Sequence, residues 1–173
     1  MTPTYLHLND VFQGRMTKAT IVSSDHRIAF VQACWHKEIV DQCKAGFANT
    51  MQKCAIPSSA IDYFSVPGAF ELPLFIKRLA LTQRYIGFVA SALVVDGGIY
   101  RHDFVADAVI SGLMTVQLCT EIPVFSAVLT PHNFQSPEHV QFFHKHFFEK
   151  GEEVASACLT TLTALQRPEI VLI

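Results

Sequence analysis

The sequence predicts a single α/β domain, a four-stranded parallel sheet with helices on both faces. Three observations lead there. Strand-like and helix-like segments alternate along the chain, in the order βαβαβαβα. The strand-like runs are short and almost wholly apolar, as in strands buried on both faces. The length, 173 residues, suits one domain that buries a core without metal or disulfide staples.

Residues 1–26 are weakly patterned and read as an N-terminal arm, with TIVSSD a candidate short edge strand. The domain proper is expected over 27–173. Residues 28–33 (IAFVQA) form the first strand. Residues 36–54 fit a helix, because Ile39, Val40, Cys43 and Phe47 recur at three- and four-residue steps. Residues 60–66 (AIDYFSV) are rich in strand formers and stop at Pro67-Gly68. Residues 70–82 read as a helix with Pro73 tolerated in its first turn. Residues 85–95 are a strand closed by Asp96-Gly97-Gly98. A helix over 102–120 places Val105, Val109, Leu113 and Val116 on one face. Residues 124–129 are the fourth strand. Residues 137–166 are helical, with a possible break at Gly151 and a stripe of Val140, Phe143, Phe147, Val154, Cys158, Thr161 and Leu165. The terminal PEIVLI is a short apolar tail. Crossovers between parallel strands are expected to be right-handed.

Composition narrows the function. Thirteen basic against fifteen acidic residues give a net charge of −2. Such a chain lacks the basic field that nucleic-acid binding needs. Hydrophobic residues make up 50%, charged residues only 16%, and there are fourteen Phe. One domain does not easily hide so much apolar surface, so a homo-oligomer is expected. The five Cys include no CxxC pair, which favours neither a disulfide framework nor a zinc ribbon and points to a reducing compartment. The N-terminal residues lack a signal-peptide layout. The most apolar run, 86–95, falls short of the roughly 20 residues that span a bilayer. A cytoplasmic protein with no membrane partner is the expectation.

In open α/β sheets, ligands bind beyond the carboxyl ends of the strands. Here that rule selects Cys34-Trp35-His36, residues 67–71 (PGAFE), residues 96–103 (DGGIYRHD) and residues 130–133 (TPHN). Trp35, the single Trp, is either a lid on the core or a stacking plate for a flat heterocycle. Glu71 falls in the first turn of a helix, as a capping carboxylate or a ligand contact. Gly97 and Gly98 allow close backbone approach, and the helix that follows offers an anion site. Arg101 adds a fixed charge there, and His102 a group that moves protons near neutral pH. The bland reading of this run is a glycine-rich turn with surface charges. It is neither a GxGxxG nor a Walker loop. His132, His139, His144 and His146 match no zinc spacing, so no metal is expected. His139, at the start of the last helix, suits a phosphate better than a metal; the bland alternative is a solvated helix face. No GxSxG elbow is present to support covalent catalysis.

Four segments in order, IAFVQACWH, VPGAFELP, SALVVDGGIYRHDFV and IPVFSAVLTPHNF, resemble the lumazine synthase family over about residues 28–151. The DGGIYRHDF variant looks like the family's second type, which assembles as decamers. The resemblance implies a flavodoxin-like three-layer αβα fold. It also implies cofactor-free condensation of 5-amino-6-(D-ribitylamino)uracil with 3,4-dihydroxy-2-butanone 4-phosphate. The products are 6,7-dimethyl-8-(D-ribityl)lumazine, phosphate and water.

Carried over by residue, the resemblance makes Trp35 the plate that stacks on the pyrimidine. Ala69, Phe70 and Glu71 hold the ribityl chain. The backbone of Leu93, Val94 and Val95 reads the pyrimidine edge, and Gly97 and Gly98 begin the phosphate turn. It also implies a homo-oligomer, a dimer of pentamers with sites shared between subunits. Three departures stand out. Arg101 holds the usual position of the catalytic His, with His102 one step along, about 100° around the helix. No Arg occurs between Arg101 and Arg167, so His139 is the candidate for the phosphate role of the last helix. Ser126 replaces an aromatic that closes the neighbouring subunit's pocket. An alternative function is a low-activity paralogue that binds flavin or lumazine.

Overall fold

A computed structural model describes Val22 and residues 26–96, 101–132, 134 and 136–166. Gly97, Gly98, Asn133, Arg167, the PEIVLI tail and nearly all of the arm, TIVSSD included apart from Val22, lie outside the described residues.

The elements run β1 (Arg27–Ala33), α1 (Lys37–Lys53), β2 (Ile61–Val66), α2 (Leu72–Ala80), β3 (Tyr85–Leu93), α3 (His102–Thr120), β4 (Val124–Leu129) and α4 (Pro137–Leu165). Short 3-10 turns, Ser58–Ala60 and Ala69–Glu71, precede β2 and α2. The strands form one parallel sheet in the order β2-β1-β3-β4. This is the expected flavodoxin-like arrangement, and strand order reverses between β1 and β3, where such sheets place their ligands.

Side chains alternate across the sheet. Ile28 and Phe30 of β1 join Val40, Phe47, Phe147 and Cys158 in the core beneath α1 and α4. Ala29, Val31 and Ala33 face the other way, into the core beneath α2 and α3 with Leu72, Ile76, Val109 and Leu113. Val22 is fully buried in the first of these cores, so part of the arm packs into the domain.

The structure corrects four expectations. α4 is continuous through Gly151. A Cβ at Gly151 would stand 2.1 Å from the Cys43 carbonyl oxygen, and one at Gly46 would stand 2.1 Å from that of Phe148. The two glycines let α1 and α4 cross almost backbone to backbone, so Gly151 is a packing residue. The α4 stripe shifts accordingly: Phe147, Val154, Ala155, Cys158, Leu159 and Leu162 are buried, while Val140 and Leu165 are exposed. The second helix begins later than expected, at Leu72, because Ala69–Glu71 forms a 3-10 turn and Pro73 lacks an N–H to carry helical bonding back across it. The third strand ends at Leu93 instead of residue 95; the Val94 N–H still donates to the Leu129 carbonyl at 2.9 Å.

Among the described residues, α3 alone is long and apolar enough to cross a membrane, with mean hydropathy 1.2. The apolar run considered from sequence, 86–95, is instead a buried strand. Val109, Leu113 and Val116 anchor α3 in the second core, while Phe104, Ile110, Met114 and Leu118 stand exposed on its outside. α3 is therefore a core helix with a second, uncovered apolar face.

At the amino edge of the sheet, Asp62 is the centre of a half-buried network. It accepts from Arg27 Nε at 2.8 Å, from Arg27 Nη2, and from Tyr85 Oη at 2.9 Å. The hydrogen-bonded Arg27 guanidinium holds the Asp62 carboxyl below its ordinary value of 3.8, against the opposing effect of burial. A depressed folded pKa contributes stability that is complete above the unfolded value and is lost as pH falls through the folded one. Replacing Asp62 with Asn is expected to cost about 1.5 kcal/mol at neutral pH, the low end for hydrogen bonds to charged groups because the site is partly open. Denaturant titrations of both proteins at neutral pH and below pH 3.8 test this: the gap between them should narrow in acid.

Candidate functional site

The carboxyl rim of the sheet gathers the connections after β1, β2 and β4. Only Cys34, Trp35 and His36 join β1 to α1. The Cys34 N–H donates to the Val66 carbonyl at 2.9 Å, which stitches this connection to the end of β2. His36 then adopts a left-handed conformation, φ 53° and ψ 42°, and its carbonyl receives the Ile39 and Val40 N–H groups that open α1. Histidine tolerates this region better than most residues. The turn leaves the Trp35 ring outside the core, 59% exposed. The lid reading of Trp35 is therefore wrong: it is an open plate.

Beside it, Pro67 and Gly68 lead into the Ala69–Glu71 turn. Glu71 Oε2 accepts the Gly68 N–H at 2.9 Å, so the capping reading of Glu71 holds. Glu71 remains exposed, so it can cap and still meet a polyol hydroxyl. A Cβ at Gly68 would stand 3.1 Å from Glu71 Oε2 and 3.8 Å from Trp35 Cε2. The carboxylate and the indole thus both lie against Gly68. Ala69 is buried in the turn, while Phe70 is 65% exposed.

Between these connections and β4, the third strand runs out through Leu93, Val94 and Val95, all with buried side chains. What they offer a ligand is backbone, and the Val94 N–H is already spent on Leu129. From the far side, Phe134 packs edge-on against His36 with ring centroids 5.1 Å apart, and against Phe143 at 5.8 Å. This aromatic bridge draws the start of α4 toward the β1 connection. Partial burial holds the His36 imidazole below its ordinary value of 6.5. Ser136 caps α4, its Oγ accepting the His139 N–H at 3.3 Å. Among the described residues His139 Nδ1 is buried without a hydrogen-bond partner.

A model of the 6,7-dimethyl-8-ribityllumazine synthase family matches residues 25–166. The chain belongs to the lumazine synthase family. It is 58% identical over 143 residues to 6,7-dimethyl-8-ribityllumazine synthase 2 of Pseudomonas syringae pv. tomato, covering 82% of this chain and 84% of that one. It is 56% identical over 141 residues to 6,7-dimethyl-8-ribityllumazine synthase of Rhodococcus erythropolis, covering 81% and 91%. It is 55% identical over 142 residues to 6,7-dimethyl-8-ribityllumazine synthase 2 of Bradyrhizobium diazoefficiens, covering 82% and 85%.

Within this lumazine synthase framework the structure brings Trp35, Gly68 and Glu71 together in one subunit. Arg101 precedes α3 and is exposed; its Nη2 donates to Asp103 Oδ2 at 2.9 Å and its guanidinium lies 4.0 Å over the Phe104 ring. His102, the first residue of α3, is half-buried, so the two neighbours do occupy different environments. Ser126 sits on the edge strand β4, three residues before its end at Leu129, about 10 Å short of the rim. It is exposed, and its Oγ accepts the Val128 N–H at 3.3 Å. It does not join Trp35 within one subunit. Gly97 and Gly98, the expected phosphate turn, lie outside the described residues. No group of three metal-ligating side chains comes together among the described residues.

The sequence reading gave no role to His36, Gly68 or Phe134. Gly68 was legible as a turn glycine, but not its contact with the indole. The His36–Phe134 bridge joins residues far apart in sequence, and no local signal marks it.

Proposed function

We propose that this chain makes 6,7-dimethyl-8-(D-ribityl)lumazine for riboflavin biosynthesis. It condenses 5-amino-6-(D-ribitylamino)uracil with 3,4-dihydroxy-2-butanone 4-phosphate, releasing phosphate and water, without a cofactor. The observation that carries this is the family match across residues 25–166, joined to 58% identity with a named synthase. The open indole beside a carboxylate supports it chemically: the plate suits a pyrimidine and the carboxylate a ribityl hydroxyl.

Two substrates condense here without a covalent enzyme intermediate, so holding them in register supplies much of the rate. In this reading Trp35 stacks on the pyrimidine, and Ala69, Phe70 and Glu71 hold the ribityl chain. The backbone of Leu93, Val94 and Val95 reads the ring edge, chiefly through carbonyls since the Val94 N–H is taken. Gly97, Gly98, Arg101 and His139 receive the phosphate. Arg101 orients it for departure, and His102 moves protons between the attacking amine and the leaving oxygen.

The working form is a homo-oligomer of the second type, a dimer of pentamers, in the cytoplasm. The uncovered apolar residues of α3 and the exposed Leu74 of α2 support burial against a second copy. Ser126, remote from its own rim, fits a place in a neighbour's pocket.

Mixing the two substrates with the protein and following the lumazine product optically tests the function. Wild type should turn over. His102→Ala should lower kcat about 10²–10⁴-fold, the usual contribution of proton transfer, and Arg101→Ala should weaken use of the phosphate substrate. Binding of the product without turnover would remove the enzymatic reading. An unaltered His102→Ala rate would remove that residue from the chemistry.

A further inference from the structure

The run IAFVQA holds one amide, Gln32, in an otherwise apolar buried strand, and its relative exposure is 3%. Its Nε2 donates to Asp41 Oδ1 at 2.7 Å, on the second turn of α1. Asp41 Oδ2 in turn accepts from Lys37 Nζ at 2.5 Å, on the first turn. The Gln32 Oε1 atom is buried and without a partner among the described residues. A buried amide that leaves one acceptor unmet costs stability compared with an apolar side chain of the same shape. Stability alone therefore does not account for Gln32 here. Position does: Gln32 precedes the Cys34-Trp35-His36 connection on the strand side, and Lys37 and Asp41 follow it on the helix side. The connection itself contains the left-handed His36, a conformation that persists only where its surroundings hold it.

We infer that Gln32 is a positioning residue for Trp35. Its bond to Asp41 ties the first turns of α1 to the end of β1, and so fixes the angle at which the indole faces the substrate. The inference rests on the proposed role of Trp35 as the stacking plate. Without the bond, α1 keeps its apolar packing through Val40, Cys43 and Phe47, but the connection above it gains freedom. Substrate binding then has to order the indole, and that cost falls on ground state and transition state alike.

Trp35 is the only tryptophan, so fluorescence anisotropy of the full-length protein reports its motion without any substrate. Gln32→Leu keeps the volume, removes the bond and abolishes the unmet acceptor. It should lower Trp35 anisotropy and raise KM for the ribitylaminouracil about tenfold, with kcat changed less than about threefold. Asp41→Asn keeps an acceptor for Gln32 and should stay near wild type in both readouts, whereas Asp41→Leu should behave as Gln32→Leu does. That second variant carries the test if Gln32→Leu fails to fold. Unchanged anisotropy and KM in a folded Gln32→Leu protein overturn the inference, as does a shift in Tm with both readouts unmoved. The reading of the site fails separately: Trp35→Ala with unaltered substrate affinity removes the plate, while a lowered anisotropy in Gln32→Leu still upholds the clamp.

Discussion

Gly151→Ala is expected to cost about 3 kcal/mol of stability, at the upper end for an overpacked core. The new Cβ would stand 2.1 Å from the Cys43 carbonyl oxygen and 2.8 Å from the Phe47 backbone nitrogen. Both are backbone atoms, so no side chain can rotate away. Relief requires α1 and α4 to move apart, and that pulls on the Phe30, Phe47 and Phe147 core beneath them. In a domain of this size each kcal/mol shifts Tm by about 2–4 °C, so the expected fall is about 6–12 °C. Gly87→Ala is the control. There the added Cβ meets the Leu162 methyls and Phe125 ring at 3.5 Å, an ordinary contact. It should be close to neutral, since Ala also gives up less chain entropy than Gly on folding. Thermal melts of the two variants decide the matter; a Gly151→Ala protein that melts with wild type would mean that the helices do not cross at this distance.

That helix crossing also shows why the sequence misplaced one feature of α4. Glycine inside a helical pattern is locally unfavourable, and local reasoning reads it as a break. The reason for Gly151 lies on α1, more than a hundred residues earlier. By contrast, α3 and β4 were legible to the residue, because their boundaries are written in local chemistry: His102-Asp103 opens the helix and Pro123 and Thr130-Pro131 bracket the strand. The Val109, Leu113 and Val116 face was legible for the same reason, since burial there follows the helical period. At the ends of α4, periodicity nominated Val140 and Leu165 while the core receded from both.

The site divides along the same line. The rule that places ligands at the carboxyl ends of parallel strands selected the segments holding Trp35 and Glu71, and these do meet at Gly68. Whether Glu71 caps its turn or awaits a ligand was open from sequence, because one carboxylate has two oxygens and only coordinates show which is taken. Gln32 was invisible as a site residue: it was absorbed into an apolar run, and the meaning of a buried amide depends on what stands opposite. The outer faces of α2 and α3 are a further case. Phe104, Met114 and Leu118 fit a helical pattern, yet only the fold shows that they stand exposed, with nothing among the described residues covering them.

Trp35→Ala should separate binding from folding more cleanly than any other substitution. At 59% exposure the indole contributes little to the subunit's own core, so the melting temperature should move by no more than about 2 °C. Substrate affinity should respond strongly. Stacking of a flat base on an aromatic side chain is worth about 1–3 kcal/mol by alanine substitution, which corresponds to a loss of roughly 5- to 150-fold. The loss should appear in KM for the ribitylaminouracil, with kcat much less affected, because in the proposed role the plate grips the pyrimidine equally before and during reaction. Trp35→Phe keeps a smaller face and should recover part of the affinity. Calorimetric titration of each variant with the ribitylaminouracil measures this directly. Equal affinity in Trp35→Ala and wild type would mean that the pyrimidine does not lie on the indole. The ribityl contacts assigned to Glu71 would then lose their anchor as well, since that residue is placed by its nearness to the same ring.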